Sequence, residues 1–70
     1  MGKPRPAGLS EREVEVLRLL SRGLTNKRMG AELGISPKTV GHHVESIYSK
    51  IGVSTRAAAA LFAMEHDLLR

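Results

Sequence analysis

The stretch "GISPKTVGHHVESIYSKIGV", residues 34–53, holds one complete helix together with its start and stop signals. Ser36 is a good N-cap, and Pro37 follows at the first helical position, where its missing N–H costs nothing. Gly52 is the stop, so the spacing predicts a helix over about 37–51. Stepping about 100° per residue from Val40 brings Val44, Ile47 and Ile51 within about 40° of it, a single stripe to bury. Lys38, His42, Glu45 and Ser49 fall between about 140° and 200°, on the opposite side. Thr39, His43 and Lys50 line one shoulder, and Gly41 and Tyr48 the other. A helix that faces only water usually collects Glu, Lys and Gln. Two histidines, one carboxylate and a glycine are poor solubilising filler, so this outer face is a candidate for reading another molecule.

The rest of the chain carries the same kind of punctuation. Ser10 followed by Glu13 forms a capping box, predicting a first helix from Glu11 to about Arg22, closed by Gly23. Val14, Val16, Leu17 and Leu20, with Leu24 beyond the helix, supply its apolar side. Thr25 caps a second helix from Asn26 to Leu33, and Gly34 terminates it. Ser54 or Thr55 caps a fourth, expected to reach about Leu68. No strand pattern or internal repeat is present, so the expected fold class is all-α, a four-helix domain. Only Gly34, Ile35 and Ser36 separate the second and third helices, which makes them a helix-turn-helix. Gly30 sits inside the second helix at a cost of roughly 1 kcal/mol relative to Ala, which a close crossing of the second and third helices would explain.

Seventy residues allow one domain at most, near the lower limit of what a core alone stabilises. The sequence divides into a flexible leader or linker at 1–8 and the domain at 9–70. Tyr48 and Phe62 are the only aromatic residues, so the core is aliphatic. Cysteine is absent, which excludes disulfides and thiolate metal sites. No apolar run approaches the ~20 residues of a membrane span, and the leader has no apolar stretch of a secretory signal. The expected location is the cytoplasm, at the nucleoid. The net charge is +4, concentrated in residues 1–28, where seven basic side chains face three acidic ones. Such a surplus favours a polyanion.

A duplex DNA groove fits this layout, with outermost residues on base edges and shoulders on phosphates. His42 can donate to guanine, and Glu45 can accept from cytosine N4. Lys38 and Lys50 can neutralise phosphates, and the hydroxyls of Thr39 and Tyr48 can donate to them. Asn26 and Lys27 open the second helix, whose N-terminal N–H groups favour an anion. Plainer readings stand beside these. Thr39 can bond its own first turn, Glu45 can be a solvated carboxylate, His43 can pack against the core, and Tyr48 can be half-buried.

The segments "LSEREVEVL", "GLTNK", "LGISPKTV", "HVESIYSKIGV" and "STRAAA", in this order and spacing, resemble the LuxR-type (GerE-type) helix-turn-helix domain of bacterial transcriptional regulators. The resemblance covers about residues 9–68. It implies a four-helix domain that binds DNA as a dimer, usually as the C-terminal output of a larger signal-responsive protein such as a response regulator. RNA polymerase is a further expected partner. By the resemblance His42 and Glu45 face bases, while Lys38, Thr39 and Lys50 lie at or near phosphates. Two positions depart from the family pattern: Gly41, where lysine or arginine is common, and Arg28, where a glutamate is usual.

The fourth helix has more apolar surface than one contact needs. Ala57, Ala60, Leu61, Met64 and Leu68 form one stripe, expected to pack on the domain. Ala58, Ala59, Phe62 and Leu69, with His66 among them, form a second, and the resemblance implies pairing of two domains through this helix. Ala58, Ala59, Phe62 and His66 are therefore the expected dimer contacts, with the alternative that Phe62 caps the core of a monomer.

Two other classes of function compete. Catalysis lacks a nucleophile–base–orienter set, and His42 with Glu45 offers two ligands where a catalytic zinc needs three, so no enzyme activity, metal or cofactor is expected. A protein-binding module derived from the helix-turn-helix is the main alternative, and Gly41 and Glu45 suit it. The promoter-reading motif of a sigma factor has a similar local pattern, but the "HVESIYSKIGVSTRAAAA" tail argues against it.

Overall fold

Ser10 caps the first helix as its spacing to Glu13 requires: its Oγ accepts from the Glu13 N–H at 3.1 Å, and a Glu13 carboxylate oxygen accepts from the Ser10 N–H at 2.8 Å. This is α1, Glu11–Ser21. The computed structural model describes residues 6–69, and within them α2 is Asn26–Leu33, α3 is Pro37–Ile51 and α4 is Arg56–Glu65. Thr25, Ser36 and Thr55 cap the last three helices through their hydroxyls. There is no strand among the described residues, and the fold is all-α. Of the expected leader, residues 1–5 lie outside the described residues. Pro6–Gly8 form a 3-10 turn seated against α3.

Each helix ends on a left-handed residue followed by a backbone bond that spans five residues. Gly23, Gly34 and Gly52 do this for α1, α2 and α3, with the N–H groups of Leu24, Ile35 and Val53 reaching Leu19, Gly30 and Tyr48 carbonyls. At α4 the same role falls to Asp67, φ 58°, and the Leu68 N–H bonds the Ala63 carbonyl at 2.8 Å. The expected extension of α4 to Leu68 is thereby corrected: the helix stops at Glu65 because Asp67 takes a conformation normally left to glycine or asparagine.

α1 packs on α4 and α3, and α2 packs on α3. The core is Leu9, Val14, Val16, Leu17, Leu20, Met29, Val40, Ile47, Ala59 and Ala63. Val44, Ile51, Tyr48 and Leu24 are half-buried around it, so the stripe read on α3 is the one that packs. Gly30 has a steric reason, but it is the turn and not a crossing of α2 over α3. A Cβ there would lie 2.5 Å from the Ile35 carbonyl oxygen and 3.3 Å from the Pro37 nitrogen, so the obstacle is the backbone of the turn itself.

The packed face of α4 matches neither expected stripe: Leu68 of the first packs and Ala60 is half-buried, Leu69 of the second is 41 % exposed, and the buried Ala63 belongs to neither. Ala59 and Ala63 are fully buried, with Phe62 and Leu68 packed beside them. Leu61 and Met64, expected to pack, are 49 % and 62 % exposed, and Ala57 is exposed with them. The physical reason is size. Two alanines one turn apart let α4 approach α1 closely, whereas Leu61 and Met64 at that contact would hold the helices apart. Ala59 is therefore a core residue and leaves the set of expected dimer contacts. Ala58 and Phe62 are half-buried, and His66 is exposed, its ring stacked on Phe62 with centroids 4.1 Å apart.

Candidate nucleic-acid interface

The site is built outward from Val40 and Ile47, both fully buried under α3. With these two held, the opposite face is fixed: Lys38, His42, Glu45 and Ser49 are all exposed. They share one side of a helix of 15 residues, long enough to cross a groove. Gly41 and His43 are half-buried on opposite shoulders.

The pose of α3 is held by a buried carboxylate. Glu13 is 4 % exposed and accepts from Ser10 on its own helix end, from Ser46 Oγ at 2.5 Å and from Lys50 Nζ at 2.7 Å. Burial by itself would raise its pKa. The hydrogen bonds from Lys50, Ser46 and the Ser10 N–H, with the charge of Lys50, outweigh burial and lower it from 4.5 to about 2. Ser46 and Lys50 lie one turn apart on α3, so α1 grips α3 at two points beside its apolar stripe. Lys50 Nζ also reaches the Gly8 carbonyl oxygen at 3.3 Å, tying in the 3-10 turn.

Lys50, expected at a phosphate, gives its ammonium to an internal carboxylate that burial makes costly to leave unpaired, while its side chain remains 38 % exposed. Thr39, exposed at the start of α3, also bonds its own helix end. Its N–H donates to Ser36 Oγ at 3.1 Å and the two hydroxyls are 2.9 Å apart, so it completes the helix cap. Tyr48 is half-buried against the core. Lys27 and Arg28 are exposed at the start of α2, and Asn26 is half-buried there.

Sequence reasoning missed two contributors. Glu13 was legible only as a capping residue, although its i, i+4 relation to Leu17 also places it on the packed side of α1. Arg56 gave no signal at all: its guanidinium donates to the Leu24 carbonyl at 2.7 Å and to Asn26 Oδ1 at 3.1 Å, from the far end of the chain. Among the described residues no group of three or more His, Asp or Glu is placed to hold a metal, and no helix is long and apolar enough to cross a membrane.

A family model described as bacterial regulatory proteins, luxR family, matches residues 7–63. The chain belongs to the luxR family. Within known proteins, this luxR-family chain is 46 % identical over 61 residues to the transcriptional regulatory protein LiaR of Bacillus subtilis (strain 168), covering 87 % of the chain and 29 % of LiaR. It is 39 % identical over 62 residues to the response regulator protein VraR of Staphylococcus aureus (strain Mu3 / ATCC 700698), covering 89 % of the chain and 30 % of VraR. The VraR of Staphylococcus epidermidis gives the same figures. The chain thus spans about three tenths of the length of these curated relatives. As a luxR-family domain it is a DNA-binding module of transcription regulation.

Proposed function

We propose that this domain reads duplex DNA by laying α3 in the major groove, as the output domain of a longer response regulator. The observation that carries the reading is the exposed row Lys38, His42, Glu45 and Ser49, rigidly opposed to the buried Val40 and Ile47. His42 and Glu45 meet base edges, while Lys38 and Lys27 meet phosphates, with Asn26 at the same border. The relatives' descriptions as a transcriptional regulatory protein and a response regulator support the regulatory role. A signal-receiving domain in the full protein, joined through the leader at 1–8, supplies the input, and RNA polymerase is the downstream partner. The work is binding without catalysis, in the cytoplasm on the nucleoid.

Two copies pair through α4 on DNA. The pairing face is Ala57, Leu61 and Met64, with Ala58 at its edge, because these apolar side chains remain open once Ala59 and Ala63 are buried. Such a contact is small, so the free domain is monomeric when dilute and pairs on adjacent half-sites.

Selection of bound sequences from random duplex DNA tests the reading. The wild type should enrich a defined motif, and His42→Ala should lose about 1–3 kcal/mol on that motif and relax it at one base pair. No shift of any duplex at low salt would mark the domain as a protein-binding module. An identical motif from wild type and His42→Ala would remove His42 from base contact.

A further inference from the structure

Arg56 opens α4, yet its guanidinium serves the other end of the domain. One arm donates to the Leu24 carbonyl in the loop before α2, at 2.7 Å, and another to Asn26 Oδ1, at 3.1 Å. Arginine is a donor only, so the Asn26 amide has one possible orientation here: oxygen toward Arg56, nitrogen away from it. Away from it lies Gly41. A Cβ built on Gly41 would be 3.7 Å from Asn26 Nδ2, its sole neighbour within 4 Å, so the amide nitrogen stands over the one α3 shoulder position with no side chain. On the helical wheel Gly41 is within about 60° of Glu45 and Lys38, which puts these amide donors at the border of the exposed face.

We propose that Arg56 is a positioning residue for DNA binding: it locks the Asn26 amide so that Nδ2 donates to a backbone phosphate beside Gly41. This rests on the α3 reading above. Arg56 itself stays with protein oxygens and touches no phosphate. The planar fork is what matters, because one rigid group holds two acceptors two residues apart, a backbone carbonyl and a side-chain amide oxygen, which an ammonium on a flexible stem does not reproduce. The start of α4, the helix that carries the pairing face, is thereby fastened to the start of α2.

Fluorescence anisotropy with a labelled duplex across a salt series tests this on the domain as it exists, using Asn26→Ala, Arg56→Ala, Arg56→Lys and the Asn26→Ala/Arg56→Ala double variant. Loss of a hydrogen bond to a charged group predicts about tenfold weaker binding for Asn26→Ala, and a similar loss for both Arg56 variants. The double variant should bind no worse than Asn26→Ala alone, since Arg56 acts through Asn26. The slope of log affinity against log salt should stay at the wild-type value throughout, because no cation leaves a phosphate. Without DNA, the Asn26 side-chain NH2 resonances should move in both Arg56 variants while the thermal transition stays cooperative. A slope flatter by ~0.9 in Arg56→Ala would make Arg56 a phosphate ligand itself and overturn the proposal. Wild-type affinity in Arg56→Lys would do the same by showing that charge suffices. Wild-type affinity in Asn26→Ala would overturn this inference alone, whereas a wild type that binds no duplex would overturn the DNA reading beneath it.

Discussion

Lys38 and Lys50 share a helix and a charge, but they have different work. Lys38 is exposed at the start of α3 and free to reach a phosphate, while Lys50 Nζ sits 2.7 Å from a buried Glu13 oxygen. Lys38→Ala should therefore lower the salt slope of DNA binding by ~0.9, whereas an unchanged slope would remove it from the phosphate contacts. Glu13 makes an acid-side prediction. Its folded pKa, about 2, lies below the ordinary 4.5, so its stabilisation is complete above about pH 5 and is lost as pH falls toward 2. The shift corresponds to roughly 3 kcal/mol at neutral pH. Glu13→Gln should melt well below the wild type at pH 7, and the gap should close as the pH approaches 2. Parallel melting-temperature curves for the two proteins over that range would show that the Glu13 network adds nothing to stability.

Helices follow local rules closely until two of them meet. The caps of α1, α2 and α3 and the glycines that end them are all readable from side-chain type, because a hydroxyl at an N-terminus and a left-handed glycine act within four or five residues. α4 ended early because its stop is an aspartate, a residue that reveals its left-handed backbone only in the structure. Gly30 separates local preference from tertiary demand. Helix propensity alone favours Gly30→Ala by about 1 kcal/mol. The contact of 2.5 Å to the Ile35 carbonyl oxygen opposes it, because backbone on both sides leaves nothing flexible to yield. Gly30→Ala should be destabilised by about 1–3 kcal/mol, visible as a lower melting temperature. A rise in melting temperature would mean that the turn between α2 and α3 relaxes freely.

At the scale of the molecule, the same apolar residues can serve the core or a partner, and α4 carries enough of them for both. Leu61→Glu should leave the thermal transition of the monomer nearly unchanged and abolish cooperative occupancy of paired half-sites in a footprinting titration. Phe62→Glu should instead lower stability, since Phe62 packs against the core and stacks on His66. Retained cooperativity in Leu61→Glu would move the pairing contact off this face. Sequence alone settled the number of helices, the short turn between the second and third, and which side of α3 faces outward, because helical periodicity and capping are local and Val40, Val44, Ile47 and Ile51 leave one choice of stripe. It also identified the family, whose motifs lie along the chain in order. Only the tertiary structure decided which face of α4 is buried, that Lys50 answers Glu13 across 37 residues, and that Arg56 holds Asn26 across 30. Periodicity cannot rank two apolar faces of one helix, and a hydrogen bond between distant segments leaves no trace in spacing. Those choices are made by the fit of one helix against another.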